Sequence, residues 1–373
     1  AGVTALAIPR ALFPTIEEEE PVPFLDMPRT SEHRLDWESL DSWITPQDQV
    51  FNVQHYGVPE FDTKDFRLAV TGLVEGPRVF TMAEIEALPK KDQLMTLECS
   101  GNGVNKGFMN AIYNSKWTGT PLAPILKACG LKPAAKEVVF FGKDREDETL
   151  RKGTESEITV NVAFGRSMSV VDALNENCLL AYQRSGKPLE RRNGAPLRLI
   201  VPGWYGIANV KWLTRIHVRR SRYMGRYMGR DYVTVRGERR GDEIVYDETS
   251  VTRMNLKSIV ARVSRRPTAN GLIPLRAFGA VWSDGTAIKR VEVKIDDGSW
   301  RPAKLAENPT AKFCWRFFSI DLGSVEPGKH TVVSRAIDVN GRTQPSAGED
   351  EIALKKTYWE AYQQWPRDIE VTA

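Results

Sequence analysis

The sequence predicts an α+β fold followed by an immunoglobulin-like β-sandwich. Three observations carry this. Up to about residue 245, short apolar runs of strand composition alternate with Gly/Pro punctuation and brief helical patterns. From Lys257 onward the pattern becomes strand, turn, strand at sandwich spacing. A length of 373 residues implies two domains or more, because single cores stop growing at roughly 250–300 residues.

Residues 1–45 read as an N-terminal arm with little core of its own. They are rich in Pro and Glu and include an acidic run from Glu17 to Glu20. Residues 46–245 read as the α+β unit. In it, Phe66 to Val70 and Val138 to Phe141 are strand runs, followed by Gly72 and Gly142. Thr81-Met82-Ala83-Glu84 is a capping-box pattern, in which threonine and glutamate satisfy each other's free amides, and it opens a helix ending near Pro89. Pro121 to Cys129 reads as a second helix, closed by Gly130. Arg222 to Gly229 repeats Arg-Tyr-Met-Gly twice, too briefly for an architectural repeat, and reads as a basic loop. Residues 246–373 read as the sandwich. Its strands include Ile288 to Ile295, Trp315 to Ile320 and His330 to Ile337, with turns at Asp296-Asp297-Gly298 and Asn340-Gly341.

Composition narrows the chemistry. Hydrophobic residues at 41% and charged residues at 27% are globular values. No stretch approaches the ~20 apolar residues of a membrane span. A formal charge of +4 is too small and scattered to imply nucleic acid, but it suits an anionic cofactor or substrate. The four cysteines (Cys99, Cys129, Cys178, Cys314) form no CxxC pair, so neither a disulfide framework nor a zinc site is indicated, and the absence of CxxCH excludes attached c-type haem. Only four histidines occur (His33, His55, His217, His330), which argues against a multi-histidine metal site. The small-residue apolar start, Ala1 to Pro9, reads as the tail of an export signal or a trimmed terminus.

Three clusters could carry chemistry. Cys99 stands where an apolar run (Leu94, Met95, Leu97) changes to Ser100-Gly101-Asn102-Gly103. It is a buried structural cysteine, a nucleophile with His55 as its base, or a single thiolate ligand to a metal carried by an organic cofactor. In the second cluster, Arg191 to Trp212, Arg198 and Lys211 interrupt an apolar segment. Buried cations need partners, which a phosphate or large polar heterocycle would supply; the alternative is a strand pair whose cations reach solvent. The third is Arg230-Asp231-Tyr232, whose phenol could orient an anion or pass a proton, or could be a plain surface tyrosine.

Together these clusters resemble the sulfite oxidase family of molybdenum enzymes. Glu98-Cys99-Ser100-Gly101-Asn102 is similar to that family's molybdenum-cysteine motif, and Lys116 to Leu122 to the segment after it. Asn193 to Arg198 and Val201 to Leu213 resemble its pterin-binding segments, and Lys257 to Ser346 its dimerisation domain. The resemblance implies a mixed α/β molybdopterin-binding catalytic domain and a homodimer formed through the sandwich. It implies Cys99 as the one protein thiolate on molybdenum, beside a pyranopterin dithiolene. It makes His55, Ser167, Arg198, Asn209 and Lys211 cofactor contacts, with Tyr232 and His55 at the reacting end. The implied activity is oxidation of sulfite or a related sulfur compound, with electrons leaving to a separate partner such as a cytochrome, and the expected compartment is the periplasm.

The chain departs from the family where sulfite-oxidising members carry arginine. Val53, or Gln54 by a shift of one, stands before His55; Gly103 and Val104 follow the cysteine turn; Asn193 stands where histidine is common. Each lost hydrogen bond from a guanidinium to an anion removes about 1.5–3 kcal/mol. Lys106, Arg166 and Arg230 are the cations left to compensate. Two alternatives follow: a sulfoxide reductase using the same cofactor, and a non-enzymatic binding protein in which Cys99 is only buried.

Overall fold

Alternation shapes the central strands. Arg67–Gly72 buries Leu68 and Val70 and leaves Arg67 and Gly72 exposed, as a strand half-covered on one face must. The computed structural model describes residues 19–26, 34–105, 108–265, 273–306 and 311–372. Arg67–Gly72 lies in a five-stranded sheet between Arg78–Thr81 and Leu213–Arg219, followed by Glu137–Leu150 and Ile158–Ser169. Leu213–Arg219 pairs parallel with Arg67–Gly72 and antiparallel with Glu137–Leu150, so a late strand sits at the centre of an early sheet. A second sheet runs Arg198–Ile200, Leu179–Arg184, Ile112–Pro121, Lys91–Glu98. Three of its strands, Arg198–Ile200, Leu179–Arg184 and Ile112–Pro121, are nearly continuously buried, which marks a sheet covered on both faces.

Two further sheets form the C-terminal part. One contains Glu20–Val22, Lys257–Arg265, Ile273–Trp282, Arg316–Val325 and Lys304–Leu305. The other contains Arg301–Pro302, Ile288–Ile295, Gly328–Asp338 and Arg367–Val371. A shared apolar cluster that includes Val260, Val291, Phe318 and Ile369 fills the space between them. A two-stranded ribbon, Val233–Arg240 with Glu243–Ser250, leads from the first part to the second.

Among the described residues helices are few and short, the longest α-helix being Leu122–Ala128. The capping box forms as read: Glu84 N–H donates to Thr81 Oγ1 at 3.2 Å, and Thr81 N–H donates to Glu84 Oε2 at 2.8 Å, opening Met82–Glu86. Gly130, at φ +69°, follows the second helix in the left-handed region. Among the described residues, no helix is long and apolar enough to cross a membrane.

Two readings change. The basic loop is in part a helical turn, Arg226–Gly229, which buries Tyr227 and Met228. The described part of the N-terminal segment has no core of its own, yet Leu35, Trp37, Leu40 and Trp43 enter the largest core cluster, alongside Trp282 and Trp315 from the C-terminal part. Trp37 Nε1 donates to the Met109 carbonyl at 2.8 Å, and the Trp43 ring lies 4.4 Å from Phe317. Burying each such side chain contributes about 1.5–3 kcal/mol, which orders a segment that could not fold alone. Residues 1–18 and 27–33, with half of the acidic run and His33, lie outside the described residues.

Candidate active site

Cys99 follows directly on the strand Lys91–Glu98. Its N–H donates to Ala111 O at 2.9 Å, and its carbonyl accepts from Asn102 N–H at 2.9 Å, so the chain turns sharply just past the thiol. Cys99 lies in a cleft of about 690 Å³, part of it open to solvent, between the two N-terminal sheets. His55, Arg198, Asn209, Lys211 and Tyr232 line the same cleft, so six of the seven site residues read from the sequence come together.

Within the cleft, the Tyr232 hydroxyl lies 3.0 Å from His55 Nε2. The His55 ring stacks on Tyr227 at 4.5 Å and on Phe164 at 5.8 Å. Burial, then repulsion by Lys211 and Arg226, lowers His55 to about 4, so the imidazole is neutral near pH 7. Burial raises Tyr232, which stays a phenol, and its ring stacks on Trp359 at 4.1 Å. Burial also raises the Cys99 thiol. A coordinated metal would reverse that, because coordination deprotonates a thiol.

The cleft also has a cationic part. Arg198 is buried and donates to the carbonyls of Asn193 and Asn209, both at 2.9 Å, while its Nε has no hydrogen-bond partner. Lys211 Nζ donates to Asn52 Oδ1 at 2.9 Å and Arg192 O at 3.1 Å. Burial and then the neighbouring Arg198 lower Lys211 to about 7, and burial first lowers Arg198 to about 10. Gly194, at φ +103°, lets these chains approach: a Cβ there would meet Lys211 Cβ at 3.0 Å. Asn209 faces the cleft but acts as a brace, since its Oδ1 accepts from Val201 N–H at 2.8 Å and its amide donates to Tyr205 O at 3.2 Å.

Ser167 stands apart from the other six. It sits on Ile158–Ser169, does not line the cleft, and its hydroxyl donates to Glu137. The compensating cations are also otherwise engaged. Arg166 is buried and donates to the carbonyls of Tyr227 and Val251, and Arg230 pairs with Glu148 at 2.7 Å. Lys106 lies outside the described residues. Val53 does line the cleft. Sequence reading missed Asp144, a cleft carboxyl that burial raises to about 6 and whose Oδ1 has no partner, and Tyr227, the shelf under His55. Asp144 gave no signal, standing in a run of alternating charges.

A molybdopterin-type group fits these residues. The described residues contain no cluster of three or more His, Cys, Asp or Glu able to close a metal shell. A metal that brings most of its own ligands needs only one thiol, and Cys99 offers it. Buried Arg198 and half-buried Lys211 suit an anionic end, and the orphaned Arg198 Nε, Asp144 Oδ1 and Ser100 Oγ are polar atoms that a large heterocycle could satisfy.

Comparison with known proteins agrees. The family description "Oxidoreductase molybdopterin binding domain" matches residues 55–227, and "Mo-co oxidoreductase dimerisation domain" matches 248–360. Tyr232 falls between the two matched ranges. The mitochondrial sulfite oxidase of Rattus norvegicus is 27% identical over 331 residues, covering 82% of this chain and 58% of that protein. This chain thus spans little more than half the length of several such relatives. The sulfite oxidase of Arabidopsis thaliana is 27% identical, covering 82% of this chain and 83% of that protein. Nitrate reductase [NADH] 1 of Arabidopsis thaliana is 30% identical, covering 81% of this chain and 36% of that protein. In fold, the chain matches a crystal structure of the sulfane dehydrogenase SoxCD from Paracoccus pantotrophus with a TM-score of 0.72 at 24% identity, covering 100% of this chain and 95% of that one. These matches leave the non-enzymatic reading without support. The chain belongs to the sulfite oxidase family of molybdopterin oxidoreductases.

Proposed function

We propose that the protein oxidises sulfite, or a related reduced sulfur compound, and passes the electrons to a separate acceptor such as a cytochrome. The observation that carries this is the gathering of groups in one cleft: the cations Arg198 and Lys211, the thiol of Cys99, and the hydrogen-bonded His55–Tyr232 pair. Cys99 would hold molybdenum, and Arg198 and Lys211 would hold the anionic end of the pterin cofactor. Bound there, the group supplies two-electron oxygen-atom-transfer chemistry. With neutral His55 as the tautomer that donates Nε2–H to the Tyr232 oxygen, the phenol hydrogen is left to be donated to a substrate oxygen. The rings of Phe164, Tyr227 and Trp359 pack around this pair and limit water beside it. The sandwich, read as immunoglobulin-like, would pair two chains into a homodimer, and the compartment we propose is the periplasm.

A second reading, reduction of an S-oxide, is favoured by Val53. It lines the cleft where sulfite-oxidising relatives are expected to carry arginine, so a small dianion finds fewer donors. The test uses molybdenum-replete protein: sulfite-dependent ferricyanide reduction against reduced-viologen oxidation by sulfoxides and by nitrate. Turnover with sulfite alone supports the first reading, and turnover with sulfoxide alone the second. Less than a tenth of a molybdenum per chain, with no pterin fluorescence after oxidation, refutes both (~10% serves only as a practical threshold for specific retention of a structural group).

A further inference from the structure

The cysteine loop is held by the C-terminal part of the chain. Glu98, the residue before Cys99, is fully buried, and its carboxylate accepts from three donors. Lys257 Nζ donates to Oε1 at 2.8 Å, Asn102 Nδ2 to the same oxygen at 3.0 Å, and Trp282 Nε1 to Oε2 at 2.7 Å. Lys257 also donates to the Asn102 carbonyl at 2.7 Å. Lys257 and Trp282 stand opposite each other on the paired strands Lys257–Arg265 and Ile273–Trp282, so they reach the loop as one cross-strand unit. The loop is shaped to receive them. Gly103 has φ +97°, and a Cβ there would meet Lys257 Nζ at 2.8 Å.

We infer that Lys257 and Trp282 are positioning residues for Cys99, acting through Glu98, so that the sandwich sets the geometry of the metal-binding loop. The inference rests on the reading of Cys99 as the molybdenum ligand. The physical reason is the burial of the pair. A buried carboxylate and ammonium hold each other strictly, and removing one leaves the other charged and unpaired in a dry interior. The released charge would be relieved by moving the loop that carries it, which is the loop carrying Cys99. Groups that orient metal ligands typically change metal affinity by about 10–100-fold when removed.

The experiment compares Lys257→Met, Trp282→Phe and the double variant Glu98→Gln/Lys257→Met, each produced with the molybdenum cofactor. Molybdenum per chain, the thiolate-to-metal absorption band and the thermal midpoint are read on each. Lys257→Met is expected to lower molybdenum content about tenfold and to shift the band of what remains. The double variant, with no stranded charge, is expected to recover most of the content. Trp282→Phe keeps the ring and removes one donor, so it folds and shifts the band with a smaller loss. Wild-type content and band in both single variants, at any thermal midpoint, would overturn the inference. If Lys257→Met does not fold, a wild-type band in Trp282→Phe overturns it by itself. Cys99→Ala tests the underlying reading separately: wild-type metal content and band in that variant would remove Cys99 as the ligand, whatever Lys257 does.

Discussion

The Tyr232 hydroxyl and His55 Nε2 meet at 3.0 Å although 177 residues separate them in sequence. Stacking fixes both rings, His55 on Tyr227 and Tyr232 on Trp359. Tyr232→Phe keeps the stack and deletes only the hydroxyl. Turnover should fall about 10²-fold, with molybdenum and pterin content unchanged. Full turnover in this variant would remove the tyrosine from the chemistry.

Because burial holds His55 near 4, the pair stays neutral through the range where an ordinary histidine would charge. The pH–rate profile of the loaded protein should therefore show no His55 limb between about pH 5 and 7. A limb near 6.5 that disappears in His55→Gln would contradict the neutral pair.

The cationic end should respond to pH in the opposite sense. Lys211 sits near 7 in the ligand-free protein because of burial and Arg198, so its ammonium is incomplete above that pH. A bound anion favours the charged form. Affinity for an anion that does not itself titrate should therefore rise as pH falls through 7, by up to about tenfold per unit on the alkaline side. Calorimetry of cofactor-free protein with sulfate at pH 6 and 8 checks this. Lys211→Met should bind weakly at both values, without the slope.

How much of this was legible in the sequence depended on how local each signal was. The capping box at Thr81 and the glycine stop at Gly130 are each set by a few neighbouring residues and read directly. Cys99, Arg198 and Lys211 were legible because a thiol before glycines and cations within apolar runs demand an explanation. Tyr227 was hidden by the Arg-Tyr-Met-Gly duplication: Tyr223 and Tyr227 have the same local sequence, yet only Tyr227 reaches His55. Nothing local distinguishes them, because the difference lies in what each ring packs on in the fold, Tyr223 on Phe141 and Tyr227 on Phe164 and His55. The separation of Ser167 from the cleft was hidden too, since its hydroxyl bonds to Glu137 across a strand pair that the sequence did not define. The Glu98–Lys257 pair spans 159 residues and needs the fold before it can be seen.

Gly194 should prove intolerant of a side chain. Its φ of +103° disfavours any L-residue, and a Cβ would press on Lys211 Cβ at 3.0 Å and on Arg198 Cβ at 3.2 Å. Gly194→Ala should cost about 1–3 kcal/mol and loosen the cationic end. Urea unfolding reads the first effect and pterin content the second. An unchanged urea midpoint with full pterin content would show that the turn relaxes freely.

A last pH effect lies far from the cleft. His330 Nδ1 is 2.8 Å from Asp296 Oδ2, and its Nε2 is 2.9 Å from the Glu326 carbonyl. Both partners are acceptors, and only the imidazolium has two N–H groups to give them. Burial opposes the charge, but the bonds to Asp296 and Glu326 outweigh it and raise the pKa above the ordinary value. The unfolded chain keeps a pKa of about 6.5. The stabilisation is therefore complete below about pH 6.5 and disappears as pH rises through the higher folded value. His330→Gln can make only one of the two bonds, as a donor. It should lower the urea midpoint at pH 5.5 and differ little from wild type at pH 8.5. An equal loss at both values would mean that the contact stabilises by packing, with no contribution from the proton.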